Sequence, residues 1–61
     1  MKGYWRHKGN MKLYGILSEA LIKEETTGEW VPGIVYHNND NEVFVRTKKN
    51  FEERFIKVSE E

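Results

Sequence analysis

The sequence predicts a mostly β domain, either a small SH3-like antiparallel barrel or a strongly curled sheet, with one short helical turn. Several segments are rich in the β-branched and aromatic residues that favour strands. The run from Asn38 to Asn41 indicates a tight turn, because Asn and Asp tolerate positive φ and hydrogen-bond their own backbone. A flat sheet built from 61 residues would expose its edges, so we expect the sheet to curl or close. We therefore expect a single small β domain over residues 1–61.

The first long strand is predicted over residues 12–22, after a turn at His7 to Asn10. Apolar residues occupy both phases of a period-two pattern there, as in a strand whose two faces are both partly covered. A helical spacing is also present, in Leu13, Leu17, Ala20, Leu21 and Glu24. Gly15 lies inside the segment and no N-cap residue precedes it, which favours the strand.

Two further strands are predicted on either side of the Asn-rich turn. The first covers residues 29–37, where Pro32-Gly33 indicates an edge position or a kink. The second covers residues 42–47. Its alternation places Val43, Val45 and Thr47 on one face and Phe44 and Arg46 on the other.

The chain is predicted to end in a helical turn followed by a short strand. Residues 48–54 suit a short helix with Asn50 as its N-cap and acidic residues in its first turn. Residues 54–58 are expected to form the last strand, and residues 59–61 are expected to fray. The expected core combines Tyr14 or Ile16 with Leu17, Val35, Val45, Phe51 and Ile56.

Four parts of the sequence together resemble a known family. Residues 4–9 are similar to the motif Tyr-x-His-Tyr-Lys-Gly, and residues 14–20 are similar to Tyr-x-Val-Leu-x-x-Ala. Val35-Tyr36 matches Val-Tyr, and residues 44–51 resemble Trp-Val-Arg-Pro-x-x-x-Phe. The chain thus resembles the small bacterial and phage family catalogued as domain of unknown function 1653.

Three departures from the family pattern are visible. His7 replaces the second aromatic residue of the first motif, Thr47 replaces the proline, and the loop between the first two long strands is longer than usual. The resemblance implies a compact β domain, often encoded alone, with no established biochemical activity and no catalytic residue to transfer. A phage-type adaptor or inhibitor acting on a host protein is a further expectation by analogy.

Composition limits the chemistry and the partners. The chain has no cysteine, so it has no disulfide and no thiolate metal site. Ten basic and ten acidic residues give zero net charge, which removes any overall attraction to nucleic acid or anionic lipid. No segment approaches the ~20 consecutive apolar residues of a membrane span, and residues 1–10 lack the apolar stretch of a signal peptide. We expect a cytoplasmic protein with no membrane partner.

No combination of residues typical of catalysis is present. The only serines are Ser18, inside a predicted strand, and Ser59, in the tail. His7 and His37 adjoin turns, lack the spacing of zinc motifs and are expected to be exposed or packing residues. We therefore expect no enzyme activity, no catalytic residue, no metal site and no cofactor.

Aromatic and basic residues are the candidate binding residues instead. They are Trp5, Arg6, Lys8, Trp30, Phe44, Arg46 and Lys48. The expected function is a non-catalytic interaction module that binds a protein partner, with Trp5 or Trp30 as its anchor. The alternative is single-stranded nucleic-acid binding through a basic and aromatic face, formed where residues 6–12 and 46–49 converge. In a purely structural interpretation, the aromatic rings belong to the core and the lysines protect the sheet edges from aggregation. The sequence leaves the oligomeric state open.

Overall fold

The computed structural model describes residues 1–59, which form one five-stranded antiparallel sheet and one short helix. The elements in chain order are β1 (Tyr4–His7), β2 (Leu13–Lys23), β3 (Trp30–His37), β4 (Val43–Thr47), α1 (Lys48–Arg54) and β5 (Phe55–Ser59). The strands lie in the order β4-β3-β2-β1-β5. The predicted mostly β fold is confirmed. Residues 60–61 of the predicted frayed tail lie outside the described residues, whereas Ser59 belongs to β5.

The sheet is strongly curled and not closed, because the edge strands β4 and β5 do not pair with each other in the described chain. The long strand β2 pairs with β1 near its start and with β3 along most of its length. Its register with β3 shifts between Ile16 and Ser18, and such a bulge increases local twist. The curl brings the two edges toward each other across the concave face, where the Arg46 guanidinium lies 5.4 Å from the centre of the Phe55 ring.

The core lies on the concave face, where α1 covers the sheet. Its buried residues are Ile34, Tyr36, Phe51 and Phe55. The rings of Phe51 and Phe55 stack with their centres 4.0 Å apart, and Tyr36 contacts both rings edge-on. Because α1 follows β4 directly, it places Phe51 over the centre of the sheet, and this ring completes a core made mainly of aromatic side chains.

The predicted core is only partly correct. Phe51 is fully buried, as predicted. The prediction that Leu17, Val45 and Ile56 are buried is wrong, because their exposed fractions are 53%, 54% and 53%. Their strands present an aliphatic and an aromatic side, and the sequence does not say which side the helix covers. The helix covers the aromatic side, so these aliphatic residues lie on the convex side. Val35, Tyr14 and Ile16 are half-buried.

The short helix occupies residues 48–54 as predicted, but its N-cap differs from the prediction. Thr47 is the N-cap, and its hydroxyl accepts a hydrogen bond from the Asn50 backbone N–H at 3.2 Å. The Asn50 side chain is instead used by Arg46, whose Nη1 donates to Asn50 Oδ1 at 2.6 Å. The described chain contains no helix long and apolar enough to cross a membrane.

Both tight turns lie at the same end of the sheet, because β1 and β3 run in the same direction. In the turn after β3, Asn38 Oδ1 accepts hydrogen bonds from the N–H groups of Asp40 and Glu42, at 3.0 and 2.9 Å. The turn after β1 is tied to the end of α1, since the Lys8 N–H donates to the Arg54 carbonyl at 2.9 Å. This end of the sheet therefore gathers two turns and a helix terminus.

Candidate functional site

A small cavity of about 140 Å³ opens on the concave face at the end of the sheet that carries the two turns. We call it the Arg46 pocket. It is lined by His7, Asn10, Tyr14, Tyr36, Phe44, Arg46 and Phe55. The lining includes no acidic side chain and only one residue with a formal positive charge at neutral pH, Arg46.

Strand register explains why these residues meet. Alternation along β4 puts Phe44 and Arg46 on the same face, and Phe44 is paired with Tyr36 on β3. On the other side of the sheet, His7 on β1 is paired with Phe55 on β5. The long strand β2 contributes Tyr14 between these pairs, so all five strands supply the pocket.

The walls of the pocket are aromatic rings in edge-to-face contact. The ring centre of Tyr14 lies 5.7 Å from that of Tyr36, 6.4 Å from that of Phe44 and 5.5 Å from that of Phe55. Contacts of this geometry are favourable beyond the area they bury, and they hold each ring in one orientation. Tyr36 and Phe55 are buried, whereas Phe44 is partly exposed and forms the rim.

Neutral hydrogen-bond partners hold the Arg46 side chain in the pocket. Its Nε donates to the Tyr36 hydroxyl at 2.7 Å, and its Nη1 donates to Asn50 Oδ1 at 2.6 Å. The only ion pair among the described residues joins the Met1 amino group to the Glu19 carboxylate. The Arg46 guanidinium is therefore fixed in place without a carboxylate partner in the described chain, and its Nη2 has no hydrogen-bond acceptor there.

His7 contributes a neutral imidazole. Its Nδ1 accepts hydrogen bonds from the backbone N–H groups of Gly9 and Asn10, at 2.9 and 3.3 Å. Burial lowers the pKa of His7 below its ordinary value of 6.5, and the positive charges of Arg46 and Arg54 lower it further. Since Nδ1 is the acceptor, the ring proton resides on Nε2, which is a donor. Gly9 permits this arrangement, because a Cβ at that position would lie 2.8 Å from the His7 ring.

The two tyrosine hydroxyls of the pocket each accept one hydrogen bond. Asn10 Nδ2 donates to the Tyr14 hydroxyl at 3.0 Å, and Arg46 donates to the Tyr36 hydroxyl. Each O–H proton thus remains available to a ligand. Together with Arg46 and His7, these hydroxyls make a lining dominated by donors, which suits the oxygen atoms of a carboxylate or a phosphate.

A second cavity of about 340 Å³ adjoins the Arg46 pocket and shares Tyr14 with it. Its other lining residues come from the two turns and from the start of β2. They are Lys12, Leu13, Asn38, Asn39 and Asp40. The two cavities adjoin at Tyr14, and we call them together the groove, with the Arg46 pocket as its aromatic part.

The largest of these three cavities lies at the opposite end of the sheet and has a different character. It has a volume of about 480 Å³ and is lined by Glu24, Val31, Pro32, Thr47, Lys48, Lys49 and Glu52. Its two lysines and two glutamates offset each other, and no aromatic ring lines it. Among the described residues, no group of three or more His, Asp or Glu side chains is placed to hold a metal ion.

Of the candidate residues named from the sequence, Phe44 and Arg46 lie together in the pocket. Trp5 is half-buried, with its ring edge-on to Phe51 at 5.3 Å, so it belongs to the core boundary. Arg6 is paired with Leu13 on β2 and with Ile56 on β5. Its Nη1 donates a hydrogen bond to the Met11 carbonyl at 2.8 Å.

The other three candidates lie outside the pocket. Lys8 is exposed in the turn after β1. Trp30 is 60% exposed at the start of β3, with the Lys23 ammonium 5.8 Å from its ring centre. Lys48 opens α1 at that same end of the sheet. The hydrogen bond and charge of the Met1 amino group lower the pKa of Glu19, and the charge of Lys48 lowers it further. The seven candidates therefore do not form one continuous surface.

Five pocket residues were not among the candidates named from the sequence. They are His7, Asn10, Tyr14, Tyr36 and Phe55. A signal for Tyr36 was present, because a tight turn at 38–41 fixes the register that pairs it with Phe44. The pairing of His7 with Phe55 joins the two ends of the chain, and no local pattern predicts it.

The chain matches no family model, and comparison with curated proteins and with solved structures likewise gives no match. The resemblance to the domain of unknown function 1653 family therefore stays a prediction, and the candidate site stands on its geometry.

Proposed function

We propose that this chain is a non-catalytic protein-interaction module that binds an extended segment of a partner protein. The segment lies in the groove between the two turns, and an Asp or Glu side chain of the partner enters the Arg46 pocket. The observation that carries the proposal is the fixed Arg46 guanidinium, which has no carboxylate partner in the described chain and lies among hydrogen-bond donors. A carboxylate would supply the missing acceptor for Nη2 through a charge-assisted hydrogen bond, which is stronger than a bond between neutral groups.

Size and shape favour a side chain of a protein over a free-standing larger ligand. The pocket itself, at about 140 Å³, is well below the ~300–1,000 Å³ typical of drug-sized ligands. The adjoining cavity between the turns is larger and mixed in polarity, with Lys12, Asn39 and Asp40 in its lining. Such a surface suits the backbone of an extended peptide, whose N–H and C=O groups need both donors and acceptors.

Single-stranded nucleic acid is less well supported. Stacking of bases needs exposed rings along a basic track. Tyr36, Phe51 and Phe55 are buried, and exposed Trp30 lies at the opposite end of β3 from the turns. Neither Arg6 nor Lys48 lines the Arg46 pocket. The resemblance to a bacterial and phage family suggests a specific form of the protein-interaction function, namely an adaptor or inhibitor that acts on a host protein.

The proposal is tested with an array of nine-residue peptides that carry a central Asp or Glu, each matched to the same peptide with Asn or Gln. Fluorescence anisotropy is measured for the wild-type chain, for Arg46→Gln and for the control Arg6→Gln, which changes an arginine outside the pocket. We expect acidic peptides to bind wild type and Arg6→Gln, and Arg46→Gln to weaken binding at least about tenfold.

Two results would overturn the proposal. One is equal binding of the acidic and amide peptides, which would mean that the carboxylate is not recognised. The other is selective binding of labelled single-stranded DNA or RNA at low salt, lost on Arg46→Gln, which would support the nucleic-acid alternative.

A further inference from the structure

The convex face of the sheet has an unusual composition over its three neighbouring strands β2, β3 and β4. Residues that are partners on neighbouring strands form rows across the sheet. On the side away from the core, these rows are Gly15–His37–Val43, Ser18–Val35–Val45, Ala20–Gly33–Thr47 and Ile22–Val31, and Leu17 lies beside them at the bulge. None of these residues is Lys, Arg, Asp or Glu, although such residues make up 33% of the chain. The charged residues of the three strands, Glu19, Lys23 and Arg46, all lie in the rows that belong to the concave side.

A face that meets water normally alternates with the buried face and carries polar or charged side chains. Here the face away from the core carries no charged side chain over the same three strands. Leu17, Val43 and Val45 are each more than half exposed on the convex side, around the half-buried Val35. A contiguous exposed apolar patch of this kind is typical of a protein interface.

We propose that the occupant of this face is a second copy of the same chain, packed convex face to convex face as a two-layer β-sandwich dimer. Charge decides the choice of occupant. A two-fold interface places each surface against itself, so any charge near the axis would meet its own like charge. The part of the face over β2, β3 and β4 is uncharged, with Arg6 beside it on β1, so an interface centred on these three strands avoids that repulsion and offers nothing to recognise a basic or acidic partner. The chain has zero net charge, so two copies do not repel each other overall.

Size and stability fit the same occupant. A standard interface covers about 800 Å² on each partner, which is less than a fifth of the 4500 Å² surface of this chain. Among the described residues only Ile34, Tyr36, Phe51 and Phe55 form the buried core, which is small for a chain without disulfides. Packing two copies would add a second core between the sheets, a usual solution for chains of this length.

The dimer leaves the concave faces pointing outward. The Arg46 pocket lies on the concave side, so it stays accessible in each copy, and the dimer is independent of what the pocket binds.

Sedimentation equilibrium of the wild-type chain over a wide concentration range tests the proposal. We expect the mass to rise from that of one chain to that of two. Val45→Lys should weaken the dimer at least about tenfold, because the ammonium would be buried at the interface without a counter-charge. The matched control is Leu21→Lys, which changes an exposed aliphatic residue of β2 in a concave-side row and should leave the dimer intact.

A wild-type chain that stays at the mass of one copy at all concentrations would overturn the proposal and leave the face to a different protein. Equal dissociation by Leu21→Lys would also overturn it. If Val45→Lys fails to fold, dilution of the wild-type chain is followed by amide NMR. Concentration-dependent shifts at Leu17, Val35 and Val45 support the convex interface, whereas shifts confined to the Arg46 pocket, or no shifts, contradict it.

Discussion

The guanidinium of Arg46 lies 5.4 Å from the centre of the Phe55 ring, and this contact joins the two edge strands of the sheet across its concave face. β4 and β5 do not pair through their backbones in the described chain, so the contact spans a gap that a closed barrel would fill with hydrogen bonds. Attraction between a cation and a ring face is worth roughly 0.5–2 kcal/mol, depending on its exposure to water. Arg46 therefore both supports the curl of the sheet and supplies the charge of the pocket.

The first prediction concerns that double role. Arg46→Met keeps most of the aliphatic stem but removes the hydrogen bonds to Tyr36 and Asn50 and the contact with Phe55. We expect the free energy of unfolding to fall by about 1–2 kcal/mol, since hydrogen bonds from a charged donor are worth more than neutral ones. Urea unfolding followed by tryptophan fluorescence measures the change. Lys8→Met, which changes an exposed basic residue outside the pocket, is the control, and an equal loss in both variants would contradict the role of Arg46.

The second prediction concerns the stacked pair in the core. Phe51 is fully buried, and its ring stacks on Phe55 with an interplanar angle of 7°. Phe51→Ala should reduce the free energy of unfolding by about 3–5 kcal/mol, because it removes a large apolar side chain and leaves a cavity. A loss of that size is enough to unfold a marginal domain. Circular dichroism melting is the measurement, with Phe51→Leu as the milder control. A melting curve of Phe51→Ala that matches wild type would show that the ring is not part of the core.

The elements of this fold could be predicted from the sequence because their signals are local. The Asn-rich run gives the turn at 38–41, and alternation in 42–47 gives the two faces of β4, with Phe44 and Arg46 on the same side. The helix at 48–54 also follows from local residues. Its N-cap was misassigned because Thr47 and Asn50 are both good capping residues, and which of them caps depends on the neighbouring Arg46 side chain.

The core and most of the pocket could not be predicted, because they depend on contacts between distant parts of the chain. Val45 and Phe44 are adjacent and both apolar, and only the path of α1 decides that the Phe44 side faces the core. β1 was not predicted as a strand of its own, because its four residues gain stability only by pairing with both β2 and β5. His7 enters the pocket through that pairing, so its role lies beyond local sequence patterns.

The third prediction concerns backbone strain in the turn after β1. Met11 has a φ of 61°, in the left-handed region that costs a residue with a Cβ roughly 1–2 kcal/mol. Met11→Gly should raise the free energy of unfolding by about 0.5–1 kcal/mol, after allowance for the greater flexibility of glycine in the unfolded chain. The matched opposite change is Gly28→Ala. Gly28 has a φ of 77°, and no atom lies within 4 Å of the added Cβ, so backbone strain alone should lower the free energy of unfolding by about 1 kcal/mol. Urea unfolding of both variants checks the pair, and shifts of the same sign would contradict the prediction.

The last prediction concerns pH. Burial, together with the charges of Arg46 and Arg54, lowers the pKa of His7 below 6.5 in the folded chain. Well above pH 6.5 the imidazole is neutral in both the folded and the unfolded chain, so it contributes no pH dependence there. As the pH falls below 6.5 the unfolded chain takes up the proton first, and stability falls until the pH is below the pKa of the folded state. Protonation of Nδ1 would also remove the acceptor for the N–H groups of Gly9 and Asn10.

Urea unfolding at intervals between pH 8 and pH 5 should therefore show a loss of stability in the wild-type chain that is smaller in His7→Gln. The remaining slope in His7→Gln measures the contribution of all other groups, and the difference between the two curves belongs to His7. Proton NMR of the imidazole provides the independent check, because His7 should titrate below pH 6.5 in the folded chain. A midpoint at or above that value would contradict the burial of this ring beside Phe55, and with it the neutral donor that His7 supplies to the pocket.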